Sequence, residues 1–408
     1  MFKTKAKVLL MLVTCILLVF GMAACSSGGG STDTTTPPSG GDTTTPPSGG
    51  DATTTDDAQA AYAVAGANIA FIIPADDKLA INDRGWIQET WTGVKNFATA
   101  NGKTCTWYIP LDNSTQGYYD AITTAINSGS EVILALGSQP VEGVAQAAVD
   151  YPDTYFITVE GNGMEDYLQP NTYSLLHQSD EAGFLAGIAA VKAGFKNIGL
   201  VTGLDIPPMN IWTYGYLQGI NYQAGLGNVT GIQVRHHYVN TSATSPDVQT
   251  LCASWYEDGV DLIIPMLAGA TPSMFAAADA AQKPCFGADV DQGDMSDMVL
   301  TGAIKKLAET VPAALATVYN GTFPGDTYKW VGLDENAVGL ATAHWRLDSY
   351  GYTVDDYQKD FNDLKNNVNG ARAGILKESV VRTDPNSDAI DALWSAMPTH
   401  YVTFNNVY

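Results

Sequence analysis

The sequence predicts an α/β fold of two Rossmann-like lobes, each built on a parallel sheet, with a ligand cleft between them. Three observations predict it. Short apolar runs alternate with amphipathic stretches from Ala67 onward, which is the mark of βαβ units. The alternation runs through one block and restarts near Asp180, giving two blocks of similar size. Polar and aromatic residues gather where the apolar runs end, and open α/β sheets bind ligands beyond the carboxyl ends of their strands.

In the first block "ANIAFIIP" (67–74) reads as a buried strand and "IQETWTGVKNFATANG" (87–102) as a helix closed by Gly102. "TCTWYIP" (104–110) is a strand, "GYYDAITTAINSG" (117–129) a helix, "EVILALG" (131–137) a strand, "VEGVAQAAVDYP" (141–152) a helix and "TYFITVEG" (154–161) a strand. The second block opens with the helix "DEAGFLAGIAAVKAG" (180–194) and the strand "KNIGLVTG" (196–203). It continues with the helix "WTYGYLQGINYQAG" (212–225), the strand "IQVRHHYV" (232–239) and the helix "DVQTLCASWYEDG" (247–259). The strand "VDLIIPML" (260–267), the helix "SMFAAADAAQK" (273–283) and the strand "PCFGAD" (284–289) complete it. The strand ends carry Asp77 and Trp86 after the first, Ser138 and Gln139 after the third, Glu160 after the fourth and Asp289 at the last. Trp86 stands out, because so large an apolar ring favours a core and a strand-to-helix turn is where a cleft would open. Asp83, just before that helix, suits an N-cap.

Ahead of the folded region, Lys3, Lys5 and Lys7 precede the apolar run "VLLMLVTCILLVF" (8–20). That run fits a signal-peptide core and is short for a membrane span. "GMAAC" resembles a lipobox, with Met22 where Leu is usual, so residues 1–24 are expected to be a lipoprotein signal and Cys25 a lipidated N-terminus. The stretch "DTTTPPSGGDTTTPPSGGDATTTDD" (33–57) repeats a nine-residue unit nearly devoid of aliphatic side chains. It cannot bury apolar surface, so residues 25–61 are expected to form a tether, with a reach of roughly 30 Å on random-coil scaling. Lobe 1 is expected over 62–170 with 286–340, and lobe 2 over 171–285 with 341–408.

The chain carries 20 Lys and Arg against 43 Asp and Glu, a formal charge of −23, and losing the three signal lysines takes this to −26. That excludes nucleic acid as a partner and disfavours polyanionic ligands such as nucleotides. There is no Walker A, G-x-S-x-G, H-E-x-x-H or C-x-x-C motif, so no catalytic residue, metal or cofactor is expected. His236 and His237 are neighbours in a strand and face opposite ways, which suits a structural role. Beyond Cys15 and Cys25 the cysteines are Cys105, Cys252 and Cys285. A Cys252–Cys285 bridge is conceivable, and buried free thiols are the reading preferred.

Several stretches resemble, in order, motifs of the basic membrane protein (BMP) family, the nucleoside-binding lipoproteins of ABC transporters. They are "INDRGWIQETWTGVKNF", "DEAGFLAGIAA", "GLVTGLDIPPMNIWTYGYLQGI", "GADVDQ", "VLTGAIKK" and "ENAVGLA". The resemblance implies a periplasmic binding protein type I fold and a ligand site. Trp86 and Trp212 stand where the family has its two base-stacking phenylalanines. Asp77 matches an acidic residue ahead of the first aromatic. Asp289 and Lys305 match groups that reach the sugar, Glu160 replaces the base-contacting aspartate, and Gly269 lies in the loop approaching the sugar. Ile87 stands where the family has Asn. The implied function is a tethered, monomeric binding protein that captures a nucleoside or related purine and presents it to an ABC permease, without catalysis. The alternatives are a binder of a sugar or other small polar metabolite, and a surface adhesin or sensor on the same fold.

Overall fold

Six parallel strands make the first sheet: β1 (Ile69–Ile72), β2 (Cys105–Tyr108), β3 (Val132–Leu136), β4 (Tyr155–Val159), β5 (Thr172–His177) and, from much later in the chain, β11 (Thr327–Val331). This computed structural model describes residues 66–75, 80–367, 370–377 and 388–407, all within one compact unit spanning Thr53–Tyr408. The expected signal, tether and lipidated Cys25 lie outside the described residues, as does Asp77. The strand order is β11-β5-β4-β3-β1-β2. Every strand neighbour in this sheet is parallel.

Helices α1 (Trp86–Ala100) and α8 (Leu307–Tyr319) cover one face of this sheet. Their inward residues Ile87, Trp91, Val94, Leu307, Val311 and Leu315 share a core with Phe71, Leu134 and Ile157. On the other face α2 (Thr115–Asn127) and α3 (Val141–Asp150) bury Tyr118, Ile122 and Val144 against Ala70, Ile133 and Phe156. Apolar strands with both faces covered are the reason the β1 and β3 segments read as continuous hydrophobic runs.

The second sheet holds β6 (Asn197–Thr202), β7 (Gln233–Tyr238), β8 (Leu262–Met266), β9 (Cys285–Asp289), β10 (Val299–Lys305), β12 (Val338–Leu340) and β13 (Thr403–Asn406), in the order β12-β10-β9-β8-β6-β7-β13. Its one antiparallel neighbour is β12 on β10. Around it lie α4 (Ser179–Lys192), α5 (Pro207–Leu226), α6 (Pro246–Glu257), α7 (Thr271–Ala281), α9 (Val354–Asn366) and α10 (Ala389–Ala396). Helices α4 and α5 touch backbone to backbone. A Cβ on Gly219 would stand 2.1 Å from Phe184 O, so only glycine permits that approach.

The two lobes are therefore as expected in kind, and their boundaries differ. β5 joins the first sheet although it lies in the span expected for lobe 2, and β10, β12 and all of β9 but Cys285 join the second although they lie in the span expected for lobe 1. Among the described residues the chain crosses between the lobes three times: at β5 to α4, at β10 to α8 and at β11 to β12. Strand β5, "TYSLLH", is fully buried but mixes Thr, Ser and His with its apolar residues. It lacks the unbroken apolar signal of its neighbours and is absent from the sequence reading. Helix α5 starts at Pro207 rather than Trp212, because proline is suited to a first helical turn. Among the described residues no helix is long and apolar enough to cross a membrane.

Cys105, Cys252 and Cys285 are free thiols. Cys252 and Cys285 are buried in one apolar cluster, and burial pushes the Cys252 thiol up to about 12. His236 is buried, with Nε2 3.0 Å from Thr202 Oγ1 and Nδ1 2.9 Å from Asn406 Oδ1. It ties β7 to β6 and β13, a structural role.

Candidate ligand cleft

The carboxyl ends of both sheets face one cavity of about 270 Å3. The first lobe supplies Trp86, Asp83, Gly137, Ser138, Gln139 and Glu160. The second supplies Ile206, Pro208, Met209, Gly269, Asp289 and Lys305.

Trp86 is the first residue of α1 and is half-buried. Its ring packs partly on the lobe 1 core and partly walls the cavity. Asp83 fixes the turn before it. The backbone N–H groups of Gly85 (2.9 Å), Gln88 (3.0 Å) and Ile87 (3.2 Å) donate to its carboxylate, which satisfies donors that a helix start leaves open. Gly137, just after β3, has φ +92°, and a Cβ there would stand 3.2 Å from Trp86 Cη2. The backbone at this position favours glycine, and a side chain there would also crowd the indole.

Lys305 is the centre of the charged floor. It ends β10, is 5 % exposed, and holds Nζ 2.8 Å from Glu160 Oε2 and 3.5 Å from Asp289 Oδ1. The same ammonium lies 5.8 Å from the Trp86 ring centroid and 5.2 Å from that of Trp212, within cation–π range. Glu160 Oε1 lies 2.6 Å from His177 Nδ1 and accepts the His177 backbone N–H at 3.0 Å. That contact puts the ring proton on Nδ1, and Nε2 faces Thr310 Oγ1 at 3.0 Å.

The charges are mutually supported. Burial alone would raise the Glu160 carboxyl, but Lys305 and His177 outweigh it and hold it down at about 2. Burial raises Asp289 above the ordinary carboxylate range in spite of Lys305, and Glu160 adds to the rise. Burial would lower Lys305, yet Glu160 and Asp289 together push it up. A buried charge is tolerated here because it is paired.

The backbone is strained at the same place. Glu160 (φ +57°), Ala268 (φ +47°) and Asp289 (φ +69°) all adopt left-handed conformations that disfavour side chains. Each sits at or just past a strand end, and such strain tends to gather at binding sites. Gly269 lies in the turn after β8, with its carbonyl accepting the Thr244 hydroxyl at 3.0 Å.

Of the residues singled out from the sequence, Trp86, Glu160, Gly269, Asp289 and Lys305 come together around this cavity. Asp77 lies outside the described residues. Trp212 does not line the cavity. It is 0 % exposed, one turn into α5, with Met209 and Pro208 taking the place at the cavity wall. It reaches the site through Lys305, and its Nε1 is buried without a hydrogen-bond partner among the described residues. His177 is not among the residues the sequence points to, because β5 lacks an unbroken apolar run, and Asp83, which the sequence suits to an N-cap, also lines the cavity. Among the described residues no group of three His, Cys, Asp or Glu could hold a metal.

A family model described as Bmp, ABC transporter substrate-binding protein PnrA-like, matches residues 67–369. An ABC transporter nucleoside-binding protein BmpA of Lactococcus lactis is 25% identical over 285 residues, 65% of this chain and 79% of that protein. A CD4+ T-cell-stimulating antigen of Listeria monocytogenes is 25% identical over 282 residues, 64% of this chain and 77% of that one. Among solved structures, an ABC transporter solute-binding protein of Aeropyrum pernix superposes with TM-score 0.64 at 18% identity, over 80% of this chain and 97% of that one.

Proposed function

This chain belongs to the family of PnrA-like ABC transporter substrate-binding proteins, and from that premise we propose that its cleft captures a nucleoside or related purine for uptake. The family's members bind and deliver, and this chain is not an enzyme.

The observation that carries the ligand assignment is the pairing of a flat wall with a charged floor. Trp86 offers an indole face on which a heterocycle can stack, worth roughly 1–3 kcal/mol per base. Asp289 can accept from vicinal hydroxyls, and Lys305 beside it can donate to a sugar oxygen. Lys305 is also the one cation among the described lining residues, and two carboxylates already neutralise it. A phosphate would meet net negative charge there, which favours nucleosides over nucleotides. The nucleoside-binding name of the Lactococcus relative agrees with this reading.

The sequence and the family support the remaining roles in this reading: Cys25 carries lipid, residues 25–61 tether the lobes near a membrane on its outer side, and a permease receives the ligand. Replacing Cys25 by Ser and following incorporation of labelled fatty acid tests the anchor.

Thermal shift of the purified protein against nucleosides, free bases, nucleotides and sugars tests the ligand, since binding to the native state raises Tm by mass action. A shift with purine nucleosides and none with nucleotides is the expected result. A shift with sugars alone overturns the assignment.

A further inference from the structure

Glu160 has little capacity left for a ligand. A carboxylate offers about four acceptor positions, and Glu160 has three donors: the His177 ring, the His177 backbone N–H and Lys305. These partners are not scattered. His177 is the last residue of β5, immediately before the chain first crosses to the second lobe. Lys305 is the last residue of β10, immediately before the chain crosses back into α8. Thr310, against His177 Nε2, lies in the first turns of α8. The third crossing is bonded to the first: Gln178 N–H donates to Val331 O at 2.9 Å, and Leu333 N–H donates to Glu181 Oε2 at 2.8 Å.

We propose that Glu160 is a positioning residue that clamps two of the three interlobe crossings together and aims Lys305 into the cleft, rather than a group that reads the base. His177 holds Glu160 in that role. The geometry has a functional consequence. Lys305 makes one ion pair within its own lobe, to Asp289, and one across to the other lobe, to Glu160. The hinge angle and the direction of the ammonium are therefore set by the same carboxylate. Discrimination among bases falls to other groups on the Trp86 wall, with Ser138 and Gln139 at the end of β3 placed for it. The ligand side of this inference rests on the nucleoside reading; the clamp itself does not.

The test uses the full-length protein with Glu160→Gln, which keeps shape and removes charge, and His177→Gln, a variant of the residue behind it. The first arm measures Kd for a panel of purine and pyrimidine nucleosides. Both variants are expected to weaken every member by a common factor of about ten or more, leaving the rank order unchanged. A reordered panel in Glu160→Gln, or normal affinities in His177→Gln, overturns the proposal. The second arm needs no nucleoside. Spin labels carried by non-canonical amino acids at exposed Asp153 in the first lobe and exposed Asn228 in the second report the interlobe distance. Both variants are expected to broaden its distribution, and a distribution identical to the parent overturns the clamp. If the parent binds no nucleoside but the distance arm responds, the ligand reading fails and the clamp stands.

Discussion

Asp289 and Lys305 leave neighbouring parallel strands and meet at the floor of the cleft with 3.5 Å between Oδ1 and Nζ. The aspartate is 7 % exposed and the lysine 5 %. Burial works against the charge on Asp289 and is only partly offset by Lys305. Asp289→Asn therefore removes a costly charge while keeping the shape. Stability to denaturant is expected to change little, while nucleoside affinity falls by about ten- to a hundredfold through loss of charge-assisted hydrogen bonds. Calorimetric titration beside a urea melt separates the two.

Lys305→Met has the opposite signature. It strands Glu160 and Asp289 as buried carboxylates with no lysine between them. Losing one partner of a buried pair costs about 3–5 kcal/mol, so a large fall in the urea midpoint is expected, together with loss of binding. A variant as stable as the parent would show that the charged floor is not coupled to folding.

Stability should depend on acid in a defined window. The folded Glu160 carboxyl lies at about 2 against an ordinary 4.5, so its charged form is favoured by folding. That contribution is complete above 4.5 and is lost as the pH falls from about 4.5 toward 2. For this group the loss is up to about 1.4 kcal/mol per pH unit. Asp289 runs the other way, since its carboxyl is raised, and it softens the fall. Urea melts across this range should show a shallower acid limb in Glu160→Gln than in the parent.

The two tryptophans are expected to part company. Trp86→Ala should lower nucleoside affinity about tenfold or more by removing a stacking face, and leave the fold intact because the ring is only half-buried. Trp212→Ala should cost about 3–5 kcal/mol of stability, as a large core truncation does. Selective loss of affinity in Trp212→Ala, with normal stability, would return that ring to the ligand.

At the rim, Arg84 of the first lobe pairs with Asp294 of the second, and each side chain is about half exposed, at 49% and 48%. Exposed pairs contribute about 0–1 kcal/mol and are screened by salt. Arg84→Ala is expected to speed ligand release by no more than about fivefold at low salt, with the difference vanishing at high salt. Stopped-flow release measured at two ionic strengths checks it.

Much of this was legible in the sequence, for physical reasons. Strands β1, β3 and β8 are buried on both faces, so each is written as an unbroken apolar run. Trp86, Asp289 and Lys305 sit at strand or helix ends, where local pattern and ligand position coincide. Trp212 stands back from the cavity, and its place in a motif could not say so, because burial depends on where α5 begins and what packs over it. His177 was hidden because β5 owes its burial to neighbours on both sides rather than to its own composition. The lobe boundaries were hidden for a related reason: which sheet a late strand joins is decided by contacts far away in the chain.

The three crossings also dictate the order in which the molecule can be assembled. β5 is flanked on one side by β4, its near neighbour in the chain, but on the other by β11, whose first residue Thr327 comes 150 positions after His177. Until that segment is available, one edge of β5 stays open, and an open edge invites pairing with other chains. The second sheet waits longer still, since β13 at Thr403–Asn406 closes on β7. A chain emerging from its N-terminus therefore completes the first sheet only once Val331 has arrived and the second only once Asn406 has. Such distant pairings make for slow folding, and a chaperone that shields the β5 edge during synthesis would relieve the step at which this topology is most exposed to aggregation.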